Sequence, residues 1–115
     1  MDAIELLSNV LEVFKANRNA TDTLKYLLEN NILHPSFEQR YVLNNDAWQF
    51  TITGKNEINT GLVEFYLEAS DRCPYRAEVL FEDKWYLRSF MFLCPGCFGE
   101  DRTCGVCDGS GWGVL

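Results

Sequence analysis

Val63-Glu64-Phe65-Tyr66-Leu67-Glu68-Ala69 alternates along its whole length. Val63, Phe65, Leu67 and Ala69 fall on one side and Glu64, Tyr66 and Glu68 on the other, the two-residue period of a strand with one buried and one wetted face. The same period recurs twice nearby. Trp48, Phe50 and Ile52 alternate with Gln49, Thr51 and Thr53, and Ala77, Val79 and Phe81 alternate with Glu78, Leu80 and Glu82. Residues 39–43 and 84–93 complete a four- to five-stranded antiparallel sheet, with Asn44-Asn45-Asp46 and Glu82-Asp83-Lys84 as polar hairpin breaks.

The N-terminal part has a different period. Over residues 2–16, Ile4, Leu7, Leu11 and Phe14 recur at helical spacing with Val10 beside them, while Asp2, Glu5, Ser8 and Glu12 lie off that stripe. A second helix is predicted over 22–30, with Thr21 as its N-cap and Leu24, Leu27 and Leu28 inward. Pro35 disfavours helical geometry at His34, so 32–36 is a connector. The expected fold is α+β: an N-terminal helical hairpin packed on the sheet, residues 1–93, followed by a cysteine-rich segment, 94–115.

Composition narrows the function. A chain of 115 residues with 47% hydrophobic and 14% aromatic residues is long and apolar enough for a core without disulfide staples. Its formal net charge is −7, and the 10 basic residues are scattered singly. Nucleic-acid binding needs clustered cations to displace counterions from phosphate, so a nucleic-acid partner is not expected. The N-terminus lacks a basic, apolar leader and no apolar run approaches the ~20 residues that cross a bilayer, so a cytoplasmic protein without a membrane partner is expected. In a reducing compartment, clustered cysteines mean metal or redox chemistry.

All but one of the five cysteines lie beyond Leu93, with most of the eight glycines. Cys94-Pro95-Gly96-Cys97 and Cys104-Gly105-Val106-Cys107 form the pattern C-x2-C-x6-C-x2-C. Each C-x2-C turn puts two sulfurs on one side of a tight loop, and two such turns supply four thiolates for one tetrahedral Zn2+ at ~2.3 Å per Zn–S bond. With every position filled by sulfur no water is activated, so the site is structural. Iron and dithiol redox are the competing uses of the same residues, but a redox C-x2-C belongs at the start of a helix after a buried strand, not in a glycine-rich coil.

Cys104-Gly105-Val106-Cys107-Asp108-Gly109-Ser110-Gly111 resembles the C-x-x-C-x-G-x-G repeat of DnaJ-type cysteine-rich zinc domains in full. Cys94-Pro95-Gly96-Cys97-Phe98-Gly99 matches the first six positions of that repeat, with Asp101 where its second glycine would stand. The resemblance covers this segment alone, and the J-domain signature His-Pro-Asp does not occur. DnaJ proteins carry four repeats and two zincs. Two repeats with one zinc resemble the anti-TRAP type, small bacterial regulators that bind a protein partner. The resemblance implies a zinc-stabilised knuckle used for protein contact. Within residues 1–93, Val79-Leu80-Phe81-Glu82-Asp83-Lys84-Trp85-Tyr86 resembles the closing hairpin of the nuclear-transport-factor-2-like fold, which would imply a cone-shaped pocket for a small ligand, while Thr53-Gly54-Lys55 resembles a winged-helix wing without that fold's three helices or basic surface.

The remaining candidates are surfaces. Residues 84–93 are apolar on both sides: Trp85, Leu87, Met91 and Leu93 on one, Tyr86, Phe90 and Phe92 on the other, and alternation adds Tyr66 and Leu80 to the second. Tyr66, Tyr86, Phe90 and Phe92, with Trp112 as an anchor beside the knuckle, form the expected contact surface for a protein partner or a second copy. Cys73, near Arg72 and Arg76, reads as a structural thiol, and His34 as a loop histidine. No G-x-S-x-G elbow or phosphate loop is present. The expected function is a non-catalytic regulator, adaptor or inhibitor, of bacterial or phage type, acting on a protein partner. A small-ligand enzyme or binding protein is the alternative. Metal analysis of protein purified without added zinc should find about one equivalent of zinc per chain, as four thiolates at this spacing require; a metal-free protein with two disulfides would refute the zinc assignment.

Overall fold

A computed structural model describes residues 2–37, 49–70, 74–93, 105 and 112–114. Helix α1 (Ala3–Asn17) starts at Asp2, whose carboxylate accepts the Glu5 backbone N–H at 2.9 Å. It stops at Arg18, which takes a left-handed conformation (φ 57°) and donates its N–H to the Phe14 carbonyl at 2.8 Å. The buried stripe is Ala3, Leu6, Leu7, Val10 and Phe14. Ile4, expected on it, is 47% exposed, and Leu11 is half-buried. Leu6/Leu7 and Val10/Leu11 are adjacent apolar pairs, so a helix rotated by one residue keeps an apolar stripe, and packing selects the orientation.

Helix α2 (Ala20–Glu29) begins earlier than its periodicity suggests, because Asn19 rather than Thr21 is the cap. The Asn19 Oδ1 accepts the Asp22 N–H at 2.8 Å while its Nδ2 donates to the Asp22 carboxylate at 3.0 Å. Thr23, fully buried, donates its hydroxyl to the Asn19 carbonyl at 2.7 Å. Leu24 and Leu27 face the core, but Leu28 is 66% exposed, one helical step of about 100° past that narrow face. Asn30 caps the C-terminus and Asn31 turns the chain with φ 56°.

The sheet is a simple antiparallel meander of β1 (Phe50–Asn59), β2 (Leu62–Ala69), β3 (Pro74–Phe81), β4 (Trp85–Leu93) and β5 (Trp112–Val114), in that spatial order. The fold is therefore α+β, as expected. The fifth strand differs from the one expected over 39–43, which lies outside the described residues together with Trp48 and the turn at 44–46. β5 pairs with β4 through Met91↔Val114, Phe92↔Gly113 and Leu93↔Trp112. The sheet thus resumes beyond Leu93, where the first domain was expected to end.

One face of the sheet carries the core. Val63, Phe65, Leu67 and Ala69 of β2, and Tyr75, Ala77 and Val79 of β3, are buried, whereas Phe81 at the strand end is 47% exposed. On β4 the alternation slips. Glu78 faces Ser89 and Val79 faces Leu87, so Arg88 is an extra residue in a β-bulge. Leu87, Phe90 and Phe92 consequently share the inner face, at 0%, 0% and 7% exposure. Phe90 and Phe92, expected on the outer face with Tyr66 and Tyr86, are core residues. Phe90 packs on Phe14 of α1 at 4.9 Å between ring centroids and edge-on to Phe50 at 5.1 Å.

Truncating Phe90 to alanine should lower the unfolding free energy by about 3–5 kcal/mol in denaturant titration, through lost contacts and a cavity. Leu28→Ser should change it by only about 0.5 kcal/mol or less. Equal effects would show that Leu28 is buried as deeply as Phe90.

Candidate functional site

The outer face of the sheet is built by the residues that alternate away from the core. Arg76 on β3 sits at its centre. Its guanidinium lies 3.7 Å from Glu64 on β2 and 3.7 Å from Glu78 on its own strand, and it donates to the Met91 sulfur on β4 at 2.9 Å. Arg88, displaced by the bulge, reaches Glu78 at 4.0 Å. Arg76, Glu64 and Glu78 are each four-fifths or more buried at the side chain, so this lattice is less screened than ordinary surface pairs.

Two tyrosines flank the lattice. Tyr66 donates to Glu64 at 2.9 Å, and this bond to a carboxylate holds its phenol above the usual tyrosine value. Tyr86 donates to Asp83 at 2.8 Å, which raises the Tyr86 phenol and lowers the Asp83 carboxyl. The Lys84 ammonium lies 5.1 Å from the Tyr86 ring centroid, and the His34 ring meets the same ring edge-on at 5.7 Å. Tyr66 and Tyr86 thus lie on the outer face as expected, Phe90 and Phe92 do not, and of Trp112 the structure describes the backbone pairing opposite Leu93.

His34 forms a connection that sequence reasoning missed. Its Nε2 lies 2.6 Å from the Glu82 carboxylate, across 48 positions of sequence, and its Nδ1 meets the Ser36 hydroxyl at 2.6 Å. The Ser36 backbone N–H also donates to Nδ1 at 3.0 Å. That donor requires a lone pair on Nδ1, so the ring proton sits on Nε2 and points at Glu82. The order serine–histidine–carboxylate matches a hydrolase relay, but here the histidine nitrogen serves a local turn. Only the His34-Pro35-Ser36 spacing hinted at it.

On the inner face Phe14, Phe50, Tyr75 and Phe90 pack together, with ring centroids 4.9–5.9 Å apart. Hollows lie around this cluster. One of about 550 Å3 is lined by Leu24, Lys25, Leu28, Leu33 and His34, and another of about 460 Å3 by Glu12, Lys15, Gln49 and Glu68. A third, of about 450 Å3, lies between α1 and the β3–β4 hairpin.

Cys94, Cys97, Cys104 and Cys107 lie outside the described residues, as does Cys73. The structure does fix where their segment is attached. It departs after Leu93 on β4 and returns at Trp112, and these two residues are paired across the strands. No helix among the described residues is long and apolar enough to cross a membrane. Comparison with known protein families, curated proteins and solved structures finds no match.

Glu64→Gln should return the Tyr66 titration toward 10.0, read by ultraviolet absorbance against Tyr66→Phe. Because the folded phenol binds its proton more tightly, the stabilisation from this pair is present below the ordinary tyrosine value and is lost as pH rises through the raised one. An unchanged titration would mean that the Tyr66–Glu64 bond is not formed in solution.

Proposed function

We propose that this chain is a non-catalytic protein-interaction module in which Cys94, Cys97, Cys104 and Cys107 hold one zinc in a knuckle borne on the edge of the sheet. The pairing of Leu93 with Trp112 is the observation that carries this reading. Antiparallel partners stand about 5 Å apart at Cα, so residues 94–111 leave and re-enter the sheet at one point. Both C-x2-C turns are confined to that closed excursion. The entropy of bringing them together is met in part by strand pairing, before any metal binds. Four thiolates suit a closed zinc site with a structural role, and nothing in the donor set leaves a position for substrate.

A macromolecular partner follows from the surface. The chain carries −7 and no basic cluster, which disfavours phosphate and favours a protein with a complementary face. Tyr66 and Tyr86 on the outer face, with Trp112 at the root of the knuckle, are the contact residues of this reading. Aromatic side chains with a polar tip tolerate both water and burial, as a regulator or inhibitor that binds reversibly requires. A cytoplasmic setting keeps the thiolates reduced.

Cys104→Ser should abolish stoichiometric zinc and capture of the partner from the native host, and leave the circular dichroism of the helices and of β1–β4 largely unchanged. Tyr66→Ala with Tyr86→Ala should lose the same partner and keep the zinc. Neither protein should bind a random DNA duplex at physiological salt. Salt-sensitive duplex binding by the wild-type chain would overturn the assignment, as would an identical set of captured proteins for all variants.

A further inference from the structure

The two edges of the sheet differ. The β4 edge is covered by the connector at Leu33 and by β5, whereas among the described residues no strand pairs with the open side of β1. The second half of β1, Lys55 to Asn59, is exposed throughout. A strand over 39–43 joined to β1 by a turn at 44–46, as the sequence suggests, would run back along Phe50 to Ile52 and end short of Lys55. The register with β2 fixes where the side chains of this second half stand. Lys55 is opposite Phe65 and Glu57 opposite Val63, both buried, so Lys55 and Glu57 stand on the inner-face side. They lie 3.4 Å apart, with 54% and 67% of their side chains exposed. Asn56 between them is opposite Glu64, on the outer face. The ladder is irregular between Ile52 and Gly54 and again between Glu57 and Asn59, so Gly54 to Glu57 is the regular run that another strand can follow. Ile58 and Ile4 are 49% and 47% exposed beside it, and Ile4 shares one hollow with Lys55 and Glu57.

We infer that the Gly54–Ile58 edge of β1 pairs antiparallel with the same edge of a second copy of this chain, about a two-fold axis at Asn56. Residues that face one another in an antiparallel pair share a face of the sheet, and a two-fold axis makes the register symmetric about one residue. Charge selects which residue that is. Centring on Lys55 sets lysine against lysine, centring on Glu57 sets glutamate against glutamate, and centring on Gly54 sets Lys55 against Thr53. Centring on Asn56 sets Lys55 of each copy against Glu57 of the other, two opposite-charge pairs across one joint. The same register brings Ile58 of each copy to Gly54 of the other. Gly54 has no side chain to fill that place, and a Cβ there would lie 3.8 Å from the Tyr66 ring, so the half-exposed isoleucine gains an apolar neighbour. The pairing uses the open edge of both copies and leaves the covered β4 edges outermost, so the assembly closes at two chains. Lys55 and Glu57 belong to neither the cysteine segment nor the outer-face tyrosines, so failure of this inference leaves the reading above standing.

Sedimentation of the full chain, kept reduced, should show one chain converting reversibly to two as concentration rises, and added salt should weaken the association. Glu57→Lys sets lysine against lysine in both pairs and should weaken dimerisation by about tenfold or more. Lys55→Glu combined with Glu57→Lys exchanges the charges and should restore it to within about threefold of the parent. Both side chains are exposed, so the circular dichroism of either variant should match the parent. A mixture of isotope-labelled and unlabelled chains should give an intermolecular nuclear Overhauser contact between residues 55 and 57. A chain that sediments as a monomer at every concentration would overturn the inference, with the edge covered from within the chain or left open. So would a dimer indifferent to Glu57→Lys, or one that the charge exchange does not restore, since either places the contact elsewhere.

Discussion

Glu78 faces Ser89 across the sheet, and the next residue of β3, Val79, faces Leu87. The single residue gained by β4 between these pairs, Arg88, sets the side-chain composition of both faces. Before the bulge, Trp85 and Leu87 point inward. After it, Phe90 and Phe92 do so, although strict alternation would turn them out. Phe90 is the ring on which Phe14 and Phe50 converge, so the docking of α1 depends on that slip. The outer face depends on it too, because the bulge sets Arg88 within reach of Glu78.

The far edge of β4 is managed by two separate devices. At one end, the connector after α2 runs alongside it: Leu33 bridges Leu87 in parallel, the Leu87 N–H donates to the Ile32 carbonyl at 2.8 Å, and the His34 N–H donates to the Leu87 carbonyl at 2.9 Å. At the other end β5 covers Met91 to Leu93. An uncovered edge invites pairing with other chains, and here both covers have a second use. The connector ties α2 to the β3–β4 hairpin through His34 and Glu82. β5 closes the segment that carries four of the cysteines.

How much of this could be read from the residues differs by element, for physical reasons. β2 was legible because each inward side chain is apolar and most outward ones are charged, so only one register buries oil and wets charge. β4 was not, because residues 85–93 include apolar side chains on both parities and a one-residue slip leaves no mark on such a pattern. That is why simple alternation places Phe90 and Phe92 on the outer face when they are buried. The same ambiguity, in the adjacent pairs Leu6/Leu7 and Val10/Leu11, hid the orientation of α1. The cysteine pattern is different in kind. The expectation of a metal site in C-x2-C turns rests on local spacing alone and lies outside the described residues, whereas a contact surface is assembled from several strands and inherits every error of register. His34 shows the limit: its bond to Glu82 depends on a parallel bridge that no local pattern announces.

The outer face also explains how tyrosines can be presented without making the sheet sticky. An open face of Tyr66, Leu80, Tyr86 and Met91 alone would be an apolar patch prone to self-association. Instead Arg76 stands among them with Glu64 and Glu78, and takes the Met91 sulfur as a further acceptor. A partner that covered this face would have to leave those half-desolvated charges satisfied, and one that brought an unmatched charge would incur several kcal/mol of repulsion or desolvation. The tyrosine hydroxyls, already bonded to Glu64 and Asp83, hold their rings in fixed positions and reduce the ordering that binding would otherwise demand. In the proposed reading such a face would select a partner by charge geometry and by two pre-oriented rings, while the apolar surface that drives folding stays on the other side of the sheet.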